Sequence, residues 1–576
     1  MITEAPLQQA SALSSDAFSN ISKLDFIGQA TFPKAFAASL NGIFSTIGGL
    51  SGITYDRASD QYYAISDDRL SGVPPYEPGQ PTRFYTLKID LSSGSLTSDN
   101  VNFTGLTFLR DANGSIIFPQ KTDTEAINVT DRNTVFVASE GEVDAPGQIR
   151  VQPFINEYDL DTGALLRQLP IPEKFLPDSA IATAQTRGTY DNLAFETAAL
   201  TPNQNSLWTA TENALIQDGD RATPTTGSRS RLLKFDLLSN QAQGEYLYNV
   251  DPVQFPPNPS TAFSLSGITD MLALDNAGHF LVIERSFSTG GDPQPTNFAV
   301  KLYEASIANA TDISQIPSLN ALTPDQLSQI QPVQKQLLLD LTTLSLPTAV
   351  NGVSGLDNIE GITFGPQLPD GRQSLLLIAD SDFNLRPNGF TQILAFAIDI
   401  PPRSSTFDIA SGGDTAVTFS NALTNALGSL NVQVSGFGNT TIANGTAQFP
   451  ITGGAADLSS TKVDILHNGG LTFTANKTTV NLTDFIIDNL NGQAVLSGLV
   501  TVNDRLVTRA PLFDLNIGQV STSTIDAQPV LNLNNVSVSL TSDAASTLNE
   551  VFGVSAFSPG FSIGTAQVEA LLNQSA

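Results

Sequence analysis

Carboxylates recur in this chain where a repeated strand–turn–strand plan begins and ends. Glu125 and Glu140 bound one such unit, Glu196 and Glu212 the next, Asp270 and Glu284 another, and Glu360 and Asp380 the last. The first unit has Ser51 at its start and Asp67 at its end. In an antiparallel hairpin those two positions share one edge, so the acids of each unit should sit together. Carboxylates crowded in this way repel, burial raises their pKa values, and a cation is the usual remedy. An all-oxygen donor set suits Ca²⁺, which takes about 6–8 oxygens in flexible geometry; Mg²⁺, stricter and octahedral, is the alternative. The candidate ligands are Glu125, Glu140, Glu196, Glu212, Glu284, Glu360 and Asp380. The competing reading is structural, with these acids capping strand ends or pairing with Arg69, Arg187 and Arg285.

The elements that must position these acids are hairpins. Each unit is a short apolar strand, a polar turn such as Pro202-Asn203-Gln204-Asn205 or Asp275-Asn276-Ala277-Gly278, and a second apolar strand. A third strand follows each, at residues 83–87, 154–158, 231–235, 298–303 and 392–396, and fourth strands are visible at 101–109 and 246–250. Residues 313–344 read as an insertion, with Thr323 capping a short helix that opens on Pro324, and with an outer strand at 333–340. The last unit lacks a fourth strand, which residues 24–28 could supply from the N-terminal side. Repeated four-stranded units closed this way define a β-propeller, with the acidic edges converging on one mouth of its channel. Five blades are counted and six remain open. The expected fold is all-β: a propeller over residues 20–402, then a separate β-sandwich-like domain over 405–576, where composition shifts to Asn, Thr, Ser and Val.

Composition removes several function classes. A formal charge of -29 opposes binding to nucleic acid, whose phosphates require Lys and Arg. With no cysteine there is no disulfide, thiolate nucleophile or iron–sulfur cluster, and two histidines, His279 and His467, cannot build a multi-His zinc site in the propeller. Gly560-Phe561-Ser562-Ile563-Gly564 matches the nucleophile-elbow pattern, yet no histidine follows it in the required chain order. No apolar run reaches membrane-spanning length, so no membrane insertion is expected. Met1-Ile2-Thr3-Glu4-Ala5-Pro6 lacks the basic and apolar regions of a secretory signal, which leaves a cytoplasmic protein or a mature secreted form.

The acidic blocks resemble, as an ordered set over roughly residues 45–400, the phytase-like family described as having esterase-like activity. The matching pieces are Asp123-Thr124-Glu125-Ala126 with Ala138-Ser139-Glu140-Gly141, then Asn192-Leu193-Ala194-Phe195-Glu196, Ile283-Glu284-Arg285-Ser286-Phe287 and Asp357-Asn358-Ile359-Glu360-Gly361. Ala379-Asp380-Ser381-Asp382-Phe383-Asn384 looks like the family's closing block. Ala126 and Thr197 stand where the family tends to have glycine. The resemblance implies a propeller related to the calcium-dependent propeller phytases, and hydrolysis of phosphate or carboxylic esters.

The resulting expectation is a secreted, extracellular or periplasmic, calcium-dependent hydrolase of phosphomonoesters, acting on a phosphorylated or esterified small molecule. Glu196 and Glu360 are the candidate general bases, and Arg285 is placed to hold a phosphate oxygen. The alternative is a non-catalytic, calcium-stabilised binding or adhesion module, since propellers host many functions.

Overall fold

The computed structural model describes residues 21, 23–68, 80–118, 122–145, 149–291, 296–381, 389–399, 406–457, 462–475, 478–489, 494–517, 519–525 and 528–574. Arg69, the 382–384 end of the acidic block and the 401–405 boundary segment lie outside the described residues.

Among the described residues, five four-stranded antiparallel sheets form the blades of the propeller. The inner hairpins are Leu50–Asp56 with Gln61–Ser66, Thr124–Val129 with Thr134–Ser139, Ala199–Leu200 with Ser206–Ala210, Ser264–Ala273 with His279–Ser288, and Asn358–Gln367 with Gln373–Asp380. The strand Lys23–Pro33 pairs antiparallel with Phe390–Asp399 and supplies the outer strand of blade five. That strand completes blade five from the N-terminal side and so closes the ring. The capped helix Pro324–Ser328 and the outer strand Gln334–Asp340 both form inside unit four, and Thr323 accepts a hydrogen bond from the Gln326 N–H.

Four of the inner strands carry one extra residue relative to their partner. Ser51, Glu125, Thr269 and Glu360 each fall at a register shift, where two residues of one strand oppose one of the other. In blade three the bridge Phe195↔Thr211 and the pair Ala199↔Trp208 show the same excess, beside Glu196. A bulge of this kind bends the strand and re-aims a side chain. The strands also crowd one another at the axis. A Cβ on Gly361 would lie 3.0 Å from the Gly52 Cα, and one on Gly52 would lie 2.8 Å from the Glu125 carbonyl oxygen, so neighbouring blades approach where glycine leaves room.

The C-terminal region builds its own sheet and its own apolar core, around Phe449, Phe485, Leu531 and Val568. The strands Asp414–Phe419, Thr446–Asp457, Lys462–His467, Thr478–Asp488, Val495–Val502, Arg505–Asn516, Gln528–Leu540 and Ser562–Gln574 pair in a closed circuit. One sheet that curls back on itself therefore covers both sides of this core. Ser562 opens a strand rather than an elbow, pairing with Ser539, so the G-x-S-x-G segment has no hydrolase context. His467 is buried between Thr415 and the Phe485 carbonyl, and burial holds its pKa down at about 4. His279 is bound to Asp275 at 2.6 Å. Among the described residues no helix is long and apolar enough to cross a membrane.

Candidate metal centre at the propeller mouth

Register decides which side chains reach the mouth. The bulged positions Ser51, Glu125, Thr269 and Glu360 are equivalent, with Glu196 joining them from blade three. On the second strand, the equivalent positions are Asp67, Glu140, Glu212, Arg285 and Asp380, each one residue beyond the pair that precedes the bulge. Seven carboxylates from these positions line one cavity of about 220 Å³, namely Asp67, Glu125, Glu140, Glu196, Glu212, Glu360 and Asp380. Arg285 is the cation that lines it with them.

Glu284 does not line the cavity. A one-residue step along a strand turns the side chain to the opposite face, so Arg285 takes the place expected of Glu284. Glu284 instead accepts hydrogen bonds from the Tyr248 hydroxyl (2.8 Å) and the Asp251 N–H (2.9 Å), and pairs with Lys335. Lys335 lies over the rings of Tyr248 and Tyr303. Asp270 is likewise committed elsewhere: it accepts from the Met271 and Ile362 N–H groups, tying blade four to blade five. Arg187 pairs with Glu173, away from the mouth.

Within the cavity, Arg285 donates to Glu212 at 2.6 Å, to Glu360 at 2.8 Å and to the Asn358 side-chain oxygen at 2.6 Å. Asn358 passes its amide on to Glu360 (2.7 Å) and Asp380 (3.4 Å). Gly267 makes room for Glu212, since a Cβ there would stand 2.3 Å from the Glu212 Cγ. The structural reading of these acids thus holds for Glu212 and Glu360, each of which meets a guanidinium. Among the described residues that line the cavity, Arg285 is the one cationic side chain beside seven carboxylates.

Two trios of acids form here, Asp67–Asp123–Glu125 and Glu140–Glu196–Glu212, the second including the arginine-paired Glu212, with oxygen atoms of each trio within 4.8 Å of one another. Glu140 accepts from the Ala194 N–H, and its carboxylate lies beside those of Glu196 and Glu212. Burial, and then the charge of Asp123, pushes Glu140 up to about 8. Burial with Asp123 and Asp67 nearby drives Glu125 well above the ordinary range, and burial with Glu140 and Glu212 does the same to Glu196. For Glu212 burial also raises the pKa, against the opposing pull of Arg285. Hard oxygen donors, like charge and burial together are the conditions a divalent cation relieves. Both trios fit such an ion. Asp67, Asp123 and Asn358 join the candidate set from outside the sequence-based ligand list. For Asp67 the available signal was its equivalence to Glu140 at the end of the second strand.

The sequence matches the phytase-like family, described as esterase-like activity of phytase, over residues 45–383, and the chain belongs to that family. Membership carries ester hydrolysis as the general chemistry and a small molecule as its object. No curated protein matches the sequence. Among solved structures, the chain resembles the C-terminal domain of HtaA from Corynebacterium glutamicum, at 16% identity over 29% of this chain and 99% of that one, with a TM-score of 0.24. The Dos1 propeller matches at 9% identity over 63% of this chain and 81% of its own, TM-score 0.26. An alpha-L-arabinofuranosidase from Lactobacillus brevis matches at 11% identity over 61% and 91%, TM-score 0.29. Nothing about ligands or activity passes from these structures to this chain.

Proposed function

We propose that this protein is a calcium-dependent hydrolase of phosphomonoesters, with carboxylic esters as the second chemistry that its family description admits. The observation that carries the reading is the pair of close carboxylate trios at the mouth, Asp67–Asp123–Glu125 and Glu140–Glu196–Glu212, with oxygen atoms of each within 4.8 Å of one another. The two trios are the residues that would hold metal, with Glu360 and Asp380 beside them. Calcium bound there supplies positive charge for the phosphoryl oxygens and lowers the pKa of a coordinated water.

The chain's own residues handle protons and position. Glu196, in its ionised form, accepts a proton from the attacking water and returns it to the leaving oxygen. The water oxygen bonds to phosphorus as the ester P–O bond breaks, giving phosphate and an alcohol. Arg285 holds Glu212 and Glu360 in place, and its guanidinium faces the cavity where a phosphate oxygen can meet it. A calcium-loaded protein of this kind suits an extracellular or periplasmic setting.

The test is release of phosphate from p-nitrophenyl phosphate by the full chain, with calcium and after chelation. Turnover should require calcium, and Glu196→Gln or Glu360→Gln should lower kcat/KM by about 10²–10⁴-fold with the fold retained. Calcium-induced stabilisation without turnover of phosphate or acetate esters would instead identify a binding module.

A further inference from the structure

The cavity is not acidic all round. On blade four, Leu265, Phe287 and Phe298 lie side by side across three strands, in the row two residues along from Gly267, Arg285 and Val300. Because side chains two residues apart share a strand face, Phe287 stands on the same face as Arg285. Phe287 packs against Phe298 with ring centroids 4.9 Å apart and against Phe263 at 6.0 Å. Phe263 itself is 60% exposed, and all four apolar residues line the cavity. An exposed aromatic ring at the rim of a polar cavity leaves apolar area for a ligand to cover. The corresponding positions on blades two and three, Glu142 and Ala214, carry no ring, so the wall is one-sided among the described residues.

Charge argues the same way. A polyphosphorylated polyol brings many anionic groups and needs several cations around it. Among the described residues lining this cavity Arg285 is the only cationic side chain, and it already donates to Glu212, Glu360 and Asn358, so further positive charge would come from metal held on the acidic side alone. A single phosphoryl group set against the acidic, metal-holding side, with an apolar body against the rings, uses both halves of the cavity.

We infer that the preferred substrate is a monoester whose alcohol part is flat and apolar, seated against Phe263 and Phe287, and that a polyphosphorylated polyol is disfavoured. The inference rests on the hydrolase reading above. Benzyl phosphate and ethyl phosphate test it, because their leaving groups are both simple primary alcohols and differ chiefly in the ring. With the calcium-loaded full chain, kcat/KM for benzyl phosphate should exceed that for ethyl phosphate by about tenfold or more, the scale of burying a ring. Phe263→Ala should bring that ratio down to about one, and inositol hexakisphosphate should be the poorest of the three. A wild-type ratio near one, a ratio unmoved by Phe263→Ala, or preference for inositol hexakisphosphate would overturn the inference. Titration with benzylphosphonate and ethylphosphonate, which cannot be hydrolysed, separates the two layers of the argument. Tighter binding of the benzyl compound without any turnover would keep the apolar wall and sink the hydrolase; equal binding would sink the wall.

Discussion

Blade two carries a buried polar cluster at each end of its inner hairpin, and the two are built on opposite plans. At the open end, Glu125 and Glu140 enter a ring of like charges. At the turn end, Asp131 and Arg132 meet the C-terminal unit, where Arg509 is buried among Arg132, Arg167, Glu157 and Asp484. There the signs are interleaved. Glu157 takes Arg167 at 2.6 Å and Arg132 at 3.8 Å, and despite its burial these guanidinium groups hold its pKa below the usual range. Arg231 shows the same plan inside blade three, paired with Asp218 and Glu245. These ion pairs set opposite charges side by side. At the mouth carboxylates gather with like charges, and an external cation would offset that repulsion.

Removing one partner should therefore hurt the seam and relieve the mouth. The largest expected effect is at the seam. Glu157→Ala strips the shared carboxylate from Arg132 and Arg167 and leaves three arginines crowded; a loss of about 3–5 kcal/mol is expected in chemical unfolding. A loss under about 1 kcal/mol would mean that the seam is solvated and the contrast false.

Acidity supplies the next test. Glu140 is held at about 8 when folded, against an ordinary value of 4.5. Between those values the folded state keeps a proton that the unfolded state has lost. Its contribution to stability is complete below about pH 4.5 and disappears as pH rises through about 8, a change on the order of a few kcal/mol. Metal-free protein should accordingly melt at lower temperature at pH 8 than at pH 5. Added calcium should reverse the trend, because its binding releases those protons and strengthens with pH. A metal-free melting temperature that climbs over this range would contradict the burial and repulsion assigned to the ring.

A smaller effect of opposite sign to the seam's is expected from Glu140→Gln. The amide oxygen can still accept from the Ala194 N–H, and above about pH 8, where Glu140 would ionise, one charge leaves the ring. At such a pH metal-free protein should gain about 1–2 kcal/mol, and stabilisation by calcium should shrink. Thermal melts of both forms with and without calcium decide it, since destabilisation in the metal-free state would show that the charges are matched after all.

Much of this arrangement is legible in the sequence, and the part that is not has one cause. Hairpin turns and apolar runs specify the blade hairpins and the Thr323-capped helix because these are local patterns, and the N-terminal closing strand follows from the fourth strand that the last unit lacks. The bulges are not local. Whether Glu284 or Arg285 faces the channel depends on one extra residue, Thr269, in the partner strand, and a single step exchanges the faces. Aligning Ser51, Glu125, Glu196, Thr269 and Glu360 with one another, instead of pairing the nearest acids, gives Arg285 its place. The seam was beyond reach for a different reason. Arg509 and Glu157 meet across some 350 residues of chain, and no short spacing records that encounter.

Asp464 tests the contrast where it is weakest. It lies on the C-terminal side of the seam, fully buried, and neither of its carboxylate oxygens has a hydrogen-bond partner. Burial, then the nearby charges of Asp488 and Asp131, raises its pKa well above the ordinary range, with Arg132 pulling the other way. In miniature this is the mouth's plan inside the seam. Around Asp464, however, the described residues form no trio of close carboxylate oxygens like the two at the mouth. A lone protonated carboxyl loses little on becoming an amide, so Asp464→Asn should change stability by less than about 1 kcal/mol and leave the response to calcium untouched. Loss of part of the calcium stabilisation in Asp464→Asn would place a cation in the seam as well, and like-charge crowding would then cease to distinguish the functional end of the propeller from the structural one.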